Sequence, residues 1–213
     1  MILNATTDPA GAVEAAEACL RSGGALVLPT ETVYGVAALA ANPAAVGELF
    51  VLKGRPADRR VAVLVADLPQ ARLLAVVDDR AAMLATTYWP GPLTMVLPAL
   101  PGTEATTVGV RCPDHALVQA IAAAVGPIAT TSANRSGDPT PVEAAAAAAS
   151  LDVAPGSDLL VLDGGVCDGV PSTVVDLTVD PAVVLRPGPV AVADLESVGI
   201  RVESASVGSR DDR

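Results

Sequence analysis

Short apolar runs alternate with amphipathic segments along the whole chain, and this alternation predicts an α/β fold. Apolar runs of strand length occupy residues 25–30, 61–66, 92–99, 106–112, 127–132, 158–165, 172–178 and 182–188. Segments with helical character lie at residues 9–22, 43–53, 68–77, 78–89, 114–126, 141–150 and 192–199. Because strands and helices are mixed and no linker divides them, we predict one domain with a mixed sheet over residues 1–202. Residues 203–213 have little to bury and are expected to form a mobile tail.

Local signals mark the ends of the first two helices. Asp8-Pro9 and Asn42-Pro43 each combine an N-cap residue with proline at the first helical position. The paired glycines Gly23-Gly24 should end the first helix, and the second should end near Gly54. The residues that follow Gly54 are therefore expected to begin a loop.

The composition limits the classes of protein that the chain can belong to. It has 213 residues, of which 51% are hydrophobic and 2% aromatic, so its core should consist of Ala, Val and Leu. A net charge of -11 argues against a protein that coats nucleic acid, which needs a broad basic surface. No apolar run reaches the length of a membrane span, and the N-terminus lacks the features of a signal peptide.

The residues available for catalysis are equally restricted. Cys19, Cys112 and Cys167 are odd in number and widely spaced, which favours a reducing, cytoplasmic location. His115 is the only histidine, so a histidine-based zinc site or a Ser-His-Asp triad is not supported. The sequence also lacks a P-loop and a GxGxxG motif after a strand, so the common nucleotide-binding folds are not supported.

Positive charge is concentrated in one short segment. Lys53, Arg55, Arg59 and Arg60 fall within eight positions, although the chain has only 13 basic residues, and Lys53 is its only lysine. Two interpretations are open at this point: a solvated surface cluster, or a position that needs the compact, mobile ammonium of lysine and not the planar group of arginine.

Polar segments follow several predicted strands. These segments are "PTETVYG", "TTVGVRCPDH", "IATTSANRSGDPT", "GVPSTVVD" and "LRPGPV". Each alone is also typical of an ordinary polar turn. Together they place hydroxyl groups and arginines at strand ends, which suits one shared concavity for phosphate or carboxylate groups.

These segments, with "KGRP" and "WPGPLT", resemble the YrdC/Sua5 family, whose best-characterised members are L-threonylcarbamoyladenylate synthases. The motif order is kept from about Ala25 to Pro189. The resemblance implies a single YrdC-like domain with a twisted mixed sheet, helices and a concave, positively lined ligand-binding face. It also implies that L-threonine, bicarbonate and ATP, with Mg²⁺ held by the phosphates and not by protein side chains, give threonylcarbamoyl-AMP and pyrophosphate.

The resemblance also implies roles for individual residues. Lys53, Arg55, Ser132 and Asn134 occupy the family's KxR and SxN positions, and Lys53 and Arg55 are the expected catalytic pair. The residues expected to contact ATP or AMP are Arg55, Arg59, Thr107, Ser132, Asn134, Thr140 and Arg186. Those expected to contact threonine are Thr32, Arg111, Thr130 and Ser172, with Arg111 as the clamp for its carboxylate.

The implied product supplies the threonylcarbamoyl group of N6-threonylcarbamoyladenosine at position 37 of tRNA. Other proteins of the transfer complex are the expected partners, with tRNA as a weak or indirect one. The sequence departs from the family where Arg60-Val61 replaces the usual Pro-Leu pair and where Leu64 stands in place of an archaeal histidine. It resembles the short form, without the additional C-terminal domain of the longer Sua5 proteins.

Two alternative functions also have to be considered for this sequence. One is a family relative that binds RNA without making the adenylate, which the basic cluster favours and the net charge of -11 disfavours. The other is the carbamoyl-adenylate chemistry of hydrogenase-maturation proteins, but the zinc-finger and acylphosphatase-like segments of those proteins are not visible in this sequence.

Overall fold

The computed structural model describes residues 1–54, 61–103, 105–135, 138–151, 153 and 159–203. Within these ranges the strands are β1 (Ile2–Asn4), β2 (Leu26–Leu28), β3 (Gly35–Leu39), β4 (Ala62–Leu64), β5 (Leu93–Pro98), β6 (Thr107–Arg111), β7 (Ile128–Ser132), β8 (Leu160–Asp163), β9 (Thr173–Asp176), β10 (Ala182–Arg186) and β11 (Val202–Glu203). The helices are α1 (Pro9–Arg21), α2 (Pro43–Leu52), α3 (Leu68–Ala71), α4 (Asp79–Tyr88), α5 (Ala116–Val125), α6 (Ala144–Ala149) and α7 (Val192–Ser197).

The strands form one mixed sheet in the order β1-β8-β2-β3-β7-β4-β6-β5-β9-β10-β11. The pairs β2–β3, β3–β7, β7–β4, β6–β5 and β9–β10 are antiparallel, whereas β1–β8, β8–β2, β4–β6, β5–β9 and β10–β11 are parallel. This confirms the predicted α/β class and the mixed sheet. No described helix is both long enough and apolar enough to cross a bilayer.

Successive side chains of β2 belong to two different core clusters. Leu26 and Leu28 pack in a cluster with α1 and α5, whereas Val27 packs in a second cluster with α2 and α6. Successive side chains of a strand point to opposite faces, so these helices cover opposite sides of β2. All three core clusters consist mainly of alanine, valine and leucine, as the composition predicts.

The predicted helix starts are confirmed where the signals are local. The Asp8 carboxylate accepts a hydrogen bond from Gly11 N at 2.9 Å, and the Asn42 amide oxygen accepts one from Ala45 N at 3.2 Å. The second helix ends with Lys53 as its C-cap, followed by Gly54 at a positive φ of 57°. Glycine adopts this conformation without the steric penalty of other residues, so Gly54 turns the chain directly after Lys53.

Several predicted elements differ from the structure. The helix predicted over residues 68–77 ends at Ala71, because Val76 N donates to Pro98 O and Leu100 N donates to Leu74 O, which joins this segment to the end of β5. The helix predicted from Pro141 begins only at Ala144. The sequence interpretation missed β1, β3 and β11. The tail predicted at 203–213 lies outside the described residues except for Glu203, which pairs with Val183 in the sheet.

Candidate active site

A cavity of about 510 Å³ lies over one face of five neighbouring strands, β7, β4, β6, β5 and β9. A row of register partners crosses the middle of its floor: Thr130, Ala62, Gly109, Val96 and Asp176. All five line the cavity. The sheet therefore builds the floor from residues that are distant in sequence and adjacent in register.

Arg111 marks one end of the cavity, two residues beyond Gly109 on β6. Its side chain is buried, and all three guanidinium nitrogens have protein partners. Nε donates to Gly91 O at 3.1 Å, and Nη1 donates to Thr32 Oγ1 at 2.9 Å. Nη2 lies 2.7 Å from Oε1 of Glu31. Burial lowers the pKa of Arg111, and the Glu31 carboxylate partly opposes this effect.

The contact between Arg111 and Glu31 is an ion pair without the alignment of a hydrogen bond. Neither carboxylate oxygen of Glu31 accepts a hydrogen bond from the part of the chain that the structure describes, although both atoms are buried. The charge of Arg111 is thus balanced inside the protein, while the Glu31 oxygens keep unused acceptor capacity.

Ser172 and Arg186 form the adjoining wall at the Arg111 end. The hydroxyls of Ser172 and Thr94 are 2.8 Å apart. Arg186 donates from Nε to Ser172 O and from Nη2 to Ser172 Oγ, both at 3.0 Å. Burial, followed by the positive charge of Arg111, lowers the pKa of Arg186. The positive charges of the two arginines repel each other across this end of the cavity. An anionic ligand between them would relieve this repulsion.

Lys53 reaches the opposite end of the cavity through Ser132. It is only 3% exposed, and its Nζ donates to Ser132 O, to Ser132 Oγ at 3.2 Å and to Asn134 Oδ1 at 3.4 Å. Asn134 Nδ2 in turn donates to the carbonyl oxygens of Arg135 at 2.9 Å and Asp138 at 2.7 Å. The lysine thus joins the end of α2 to the loop that follows β7.

The register places Ser132 and Arg111 at opposite ends of the floor. Leu64 pairs with Arg111 on one side and with Ile128 on the other. Ser132 is four residues beyond Ile128 on β7, and four residues of strand span about 13 Å. Because β7 runs antiparallel to β4 and β4 runs parallel to β6, Ser132 lies toward the Thr107 end of β6.

The loop that presents Thr32 is fixed by hydrogen bonds. Thr30 Oγ1 lies 2.9 Å from Thr32 Oγ1 and donates to Val33 O at 2.7 Å. Gly169 N donates to Thr32 O at 2.7 Å, which attaches a second loop. The fully buried Tyr34 donates from its hydroxyl to Gly165 O at 2.7 Å, and burial raises its pKa to about 12. These contacts hold Thr32 against Arg111.

The structure brings most of the predicted site residues to one cavity. Those that line it are Arg111, Thr130, Ser132, Thr140, Ser172 and Arg186. Thr32, Asn134 and Lys53 contact this set through the hydrogen bonds above. Thr107 lies on β6 two residues before Gly109, which places it on the same face but outside the lining. Arg55, Arg59 and Arg60 fall outside the described residues.

The sequence interpretation missed three residues of this site. Glu31 stands inside "PTETVYG", where a charged residue surrounded by short polar and apolar neighbours was a usable signal. Thr94 and Gly109 lie within apolar strands, and only the sheet register shows that they face the cavity. His115 is a half-buried residue whose buried Nδ1 has no hydrogen-bond partner among the described residues.

The described residues contain no group of three or more His, Cys, Asp or Glu side chains placed to hold a metal ion. Asp176 is the carboxylate among the described lining residues, and its Oδ1 already accepts hydrogen bonds from Thr178 N at 2.9 Å and Oγ1 at 2.6 Å. The predicted binding of Mg²⁺ through nucleotide phosphates therefore stays a prediction.

Several curated proteins that are similar to this chain share one name. The threonylcarbamoyl-AMP synthase of Pyrococcus abyssi is 40% identical over 200 residues, which cover 89% of this chain and 58% of that protein. The enzyme of the same name from Bacillus subtilis is 40% identical over 205 residues, covering 91% and 57%. The putative threonylcarbamoyl-AMP synthase of Mycobacterium tuberculosis is 37% identical over 204 residues, covering 92% of both. The chain thus spans less than two thirds of the first two proteins.

Solved structures share the fold. The crystal structure of P. abyssi Sua5 complexed with L-threonine superposes with a TM-score of 0.85 and 38% identity, covering 94% of this chain and 61% of that one. The crystal structure of E. coli YciO gives a TM-score of 0.74 and 26% identity, covering 85% and 91%. The family model for Sua5, YciO and YrdC, described as "Telomere recombination", matches residues 18–188. The chain therefore belongs to the Sua5/YciO/YrdC family.

Proposed function

We propose that the chain is an L-threonylcarbamoyl-AMP synthase, an enzyme of the nucleotidyltransferase class. The reaction converts L-threonine, bicarbonate and ATP to threonylcarbamoyl-AMP, pyrophosphate and water. The observation that carries the proposal is the division of one cavity into two polar ends, with Arg111 at one end and Lys53 with Ser132 at the other. Relatives of that name and a related structure with L-threonine support it.

The Arg111 end suits an α-amino acid. A guanidinium has five N–H donors, and three of the five face Gly91, Thr32 and Glu31. Each terminal nitrogen carries a second N–H, and a carboxylate with two oxygens is the ligand that arginine favours. The hydroxyls of Thr32 and Ser172 lie at the same end, Thr130 lies in the middle row, and these hydroxyls suit the polar groups of threonine.

The Lys53 end suits the phosphates of ATP. The buried ammonium is oriented by oxygens of Ser132 and Asn134, so it is positioned before any ligand arrives. Arg186 supplies a second cation to the same cavity from the wall beside Ser172, nearer to Arg111, and Thr140 adds a hydroxyl to the lining. Arg55, Arg59 and Thr107 are proposed to complete the nucleotide contacts, in line with the family motifs.

The proposed chemistry depends on alignment and charge neutralisation more than on a general base. The threonine amine and bicarbonate condense to a carbamate with loss of water. A carbamate oxygen then forms a bond to the α-phosphorus of ATP, while the bond from that phosphorus to the bridging oxygen breaks and pyrophosphate leaves with the electron pair. Lys53 and Arg186 would stabilise the negative charge that builds up on these oxygens.

Mg²⁺ would accompany ATP and neutralise part of the phosphate charge. The donor set of the cavity fits this role, because Asp176 is the carboxylate among the described lining residues and hard cations need several oxygen ligands. Phosphate oxygens and water would therefore supply most of the ligands.

The product is an activated acyl adenylate, so a further protein must consume it. We propose that proteins of the transfer complex move the threonylcarbamoyl group to N6 of adenosine 37 in tRNA. Binding of tRNA by this chain would be weak or indirect, because its net charge of -11 opposes a broad phosphate contact.

Pyrophosphate release by the purified chain tests the proposal. It should require ATP, L-threonine and bicarbonate together, and Arg111→Met should raise KM for threonine much more than KM for ATP. Release that does not depend on threonine would contradict the proposal. Tight, strongly salt-dependent binding of tRNA without formation of the adenylate would favour the RNA-binding alternative.

A further inference from the structure

The smallest residues of the middle row, Ala62 and Gly109, lie at the centre of the cavity floor. Ala62 and Gly109 are register partners on β4 and β6, in the middle of the five strands that form the floor. Thr130 flanks Ala62 on one side, and Val96 flanks Gly109 on the other. We refer to Ala62 and Gly109 as the trough, since larger side chains border it on both sides.

The backbone does not require glycine at position 109. Gly109 is not one of the glycines with positive φ. Among the described residues, a Cβ atom at this position would meet Thr94 Cγ2 alone, at the ordinary contact distance of 3.7 Å. Glycine weakens the interior of a strand, and in that position it often marks a close approach by a ligand. What glycine supplies here is therefore space above the strand.

The trough separates the two polar ends of the cavity. Arg111 lies two residues beyond Gly109 on β6, and Ser132 lies two residues beyond Thr130 on β7, toward the other end. A step of two residues along a strand is about 6.6 Å. Along the floor the middle row lies between Arg111 and Ser132, and the trough holds the smallest side chains of that row.

We propose that Gly109 is a specificity-determining residue, and that the trough receives the planar carbamoyl group between the amino acid and the α-phosphate. The inference rests on the proposed synthase function and specifies which part of the joined ligand occupies the centre of the cavity. Each separate substrate needs only its own polar end, whereas the reacting pair needs the trough. Filling the trough should therefore block the joined ligand and spare the separate ones.

Two substitutions of Gly109 test this directly. Gly109→Ala adds one carbon that the structure accommodates, whereas Gly109→Val projects two further methyl groups into the trough. We expect kcat/KM for pyrophosphate release to fall by about 3- to 10-fold in Gly109→Ala and by about 100-fold or more in Gly109→Val. Calorimetric Kd values for ATP alone and for L-threonine alone should change by less than about threefold in both variants.

A matched control and a compensating substitution exclude general loss of structure. Gly47→Ala makes the same change in α2, where a Cβ would have no neighbour within 4 Å in the described part of the chain, and should keep full activity. Val96 is the register partner of Gly109, so adding Val96→Ala to Gly109→Val should recover about 10-fold of the lost activity by reopening space. Thermal melting of each variant shows that it is folded.

The outcomes separate this inference from the proposed function. If the unmodified chain makes no threonylcarbamoyl-AMP, the proposed function itself fails. If the unmodified chain is active and Gly109→Val keeps its kcat/KM within about threefold, the assignment of the trough is wrong. A Gly109→Val protein that loses its affinity for ATP alone would likewise overturn it.

Discussion

Replacing Glu31 with glutamine should show how much the ion pair between Glu31 and Arg111 contributes to stability and to ligand binding. The substitution keeps the size of the side chain and removes its charge. Arg111 is 6% exposed, and its Nη2 lies 2.7 Å from Glu31 Oε1, so the guanidinium would lose its nearest anion in a buried position. We expect Glu31→Gln to destabilise the free protein.

The magnitude follows from the burial of the two groups. Removing one partner of a fully buried ion pair costs about 3–5 kcal/mol of unfolding free energy. The Glu31 side chain is 19% exposed and lacks an aligned hydrogen bond to Arg111, so we expect about 2–3 kcal/mol, below that range. For a chain of this length such a loss lowers Tm by roughly 5–10 °C.

A double-mutant cycle measures the coupling free energy between Glu31 and Arg111. Urea unfolding, followed by the fluorescence of Trp89, gives the unfolding free energies of Glu31→Gln, Arg111→Met and the double variant. Each single variant leaves one buried charge without its partner, whereas the double variant leaves none. The double variant should therefore be about 2 kcal/mol more stable than the sum of the single losses predicts.

Ligand binding gives an independent measurement on the same pair. In Glu31→Gln the carboxylate of bound L-threonine would be the nearest anion to Arg111, so threonine should bind about tenfold more tightly. The rate of turnover should fall, because the guanidinium is less firmly oriented without Glu31. Additivity of the two single losses within about 0.5 kcal/mol, with unchanged threonine affinity, would refute the reasoning.

Three further predictions concern other parts of the chain. Lys53→Ala should lower kcat/KM by about 100-fold or more, whereas removing the exposed Arg21 should not change it. Tyr34→Phe leaves Gly165 O without its hydrogen bond, and unfolding in urea should show a loss of about 1–3 kcal/mol. Folding raises the pKa of Tyr34 from 10.0 to about 12. The contribution of Tyr34 to the free energy of unfolding is therefore complete below pH 10 and is lost as the pH rises to 12. The phenylalanine variant should lack this pH dependence. Burial raises the pKa of Cys112 to about 11, so iodoacetamide at pH 8 should modify it only after unfolding, as peptide mass spectrometry can show.

Elements with local signals could be predicted from the sequence. The N-caps at Asp8 and Asn42 and the polar groups at strand ends depend on a few consecutive residues, and the structure agrees with them. The strand Gly35–Leu39 was missed because it is rich in alanine and buried almost throughout, so it shows no alternation of polar and apolar residues.

The remaining errors and omissions have a non-local cause. The helix predicted after Asp67 stops at Ala71 because the following backbone pairs with Pro98 and Leu100, about 25 residues further along the chain. The position of Gly109 beside Ala62 depends on the pairing of two strands that are 47 residues apart. No local pattern records such pairing, so the centre of the cavity could not be identified from the sequence.

The order of strands also has a consequence for the synthesis of the chain on the ribosome. Among the described strands, β1 pairs with β8 alone, and β8 also separates β1 from β2. At typical translation rates roughly 8 to 30 seconds pass between the emergence of Ile2–Asn4 and that of Leu160–Asp163. During that time β1 lacks its partner strand, and the nascent chain must avoid aggregation until β8 has been made.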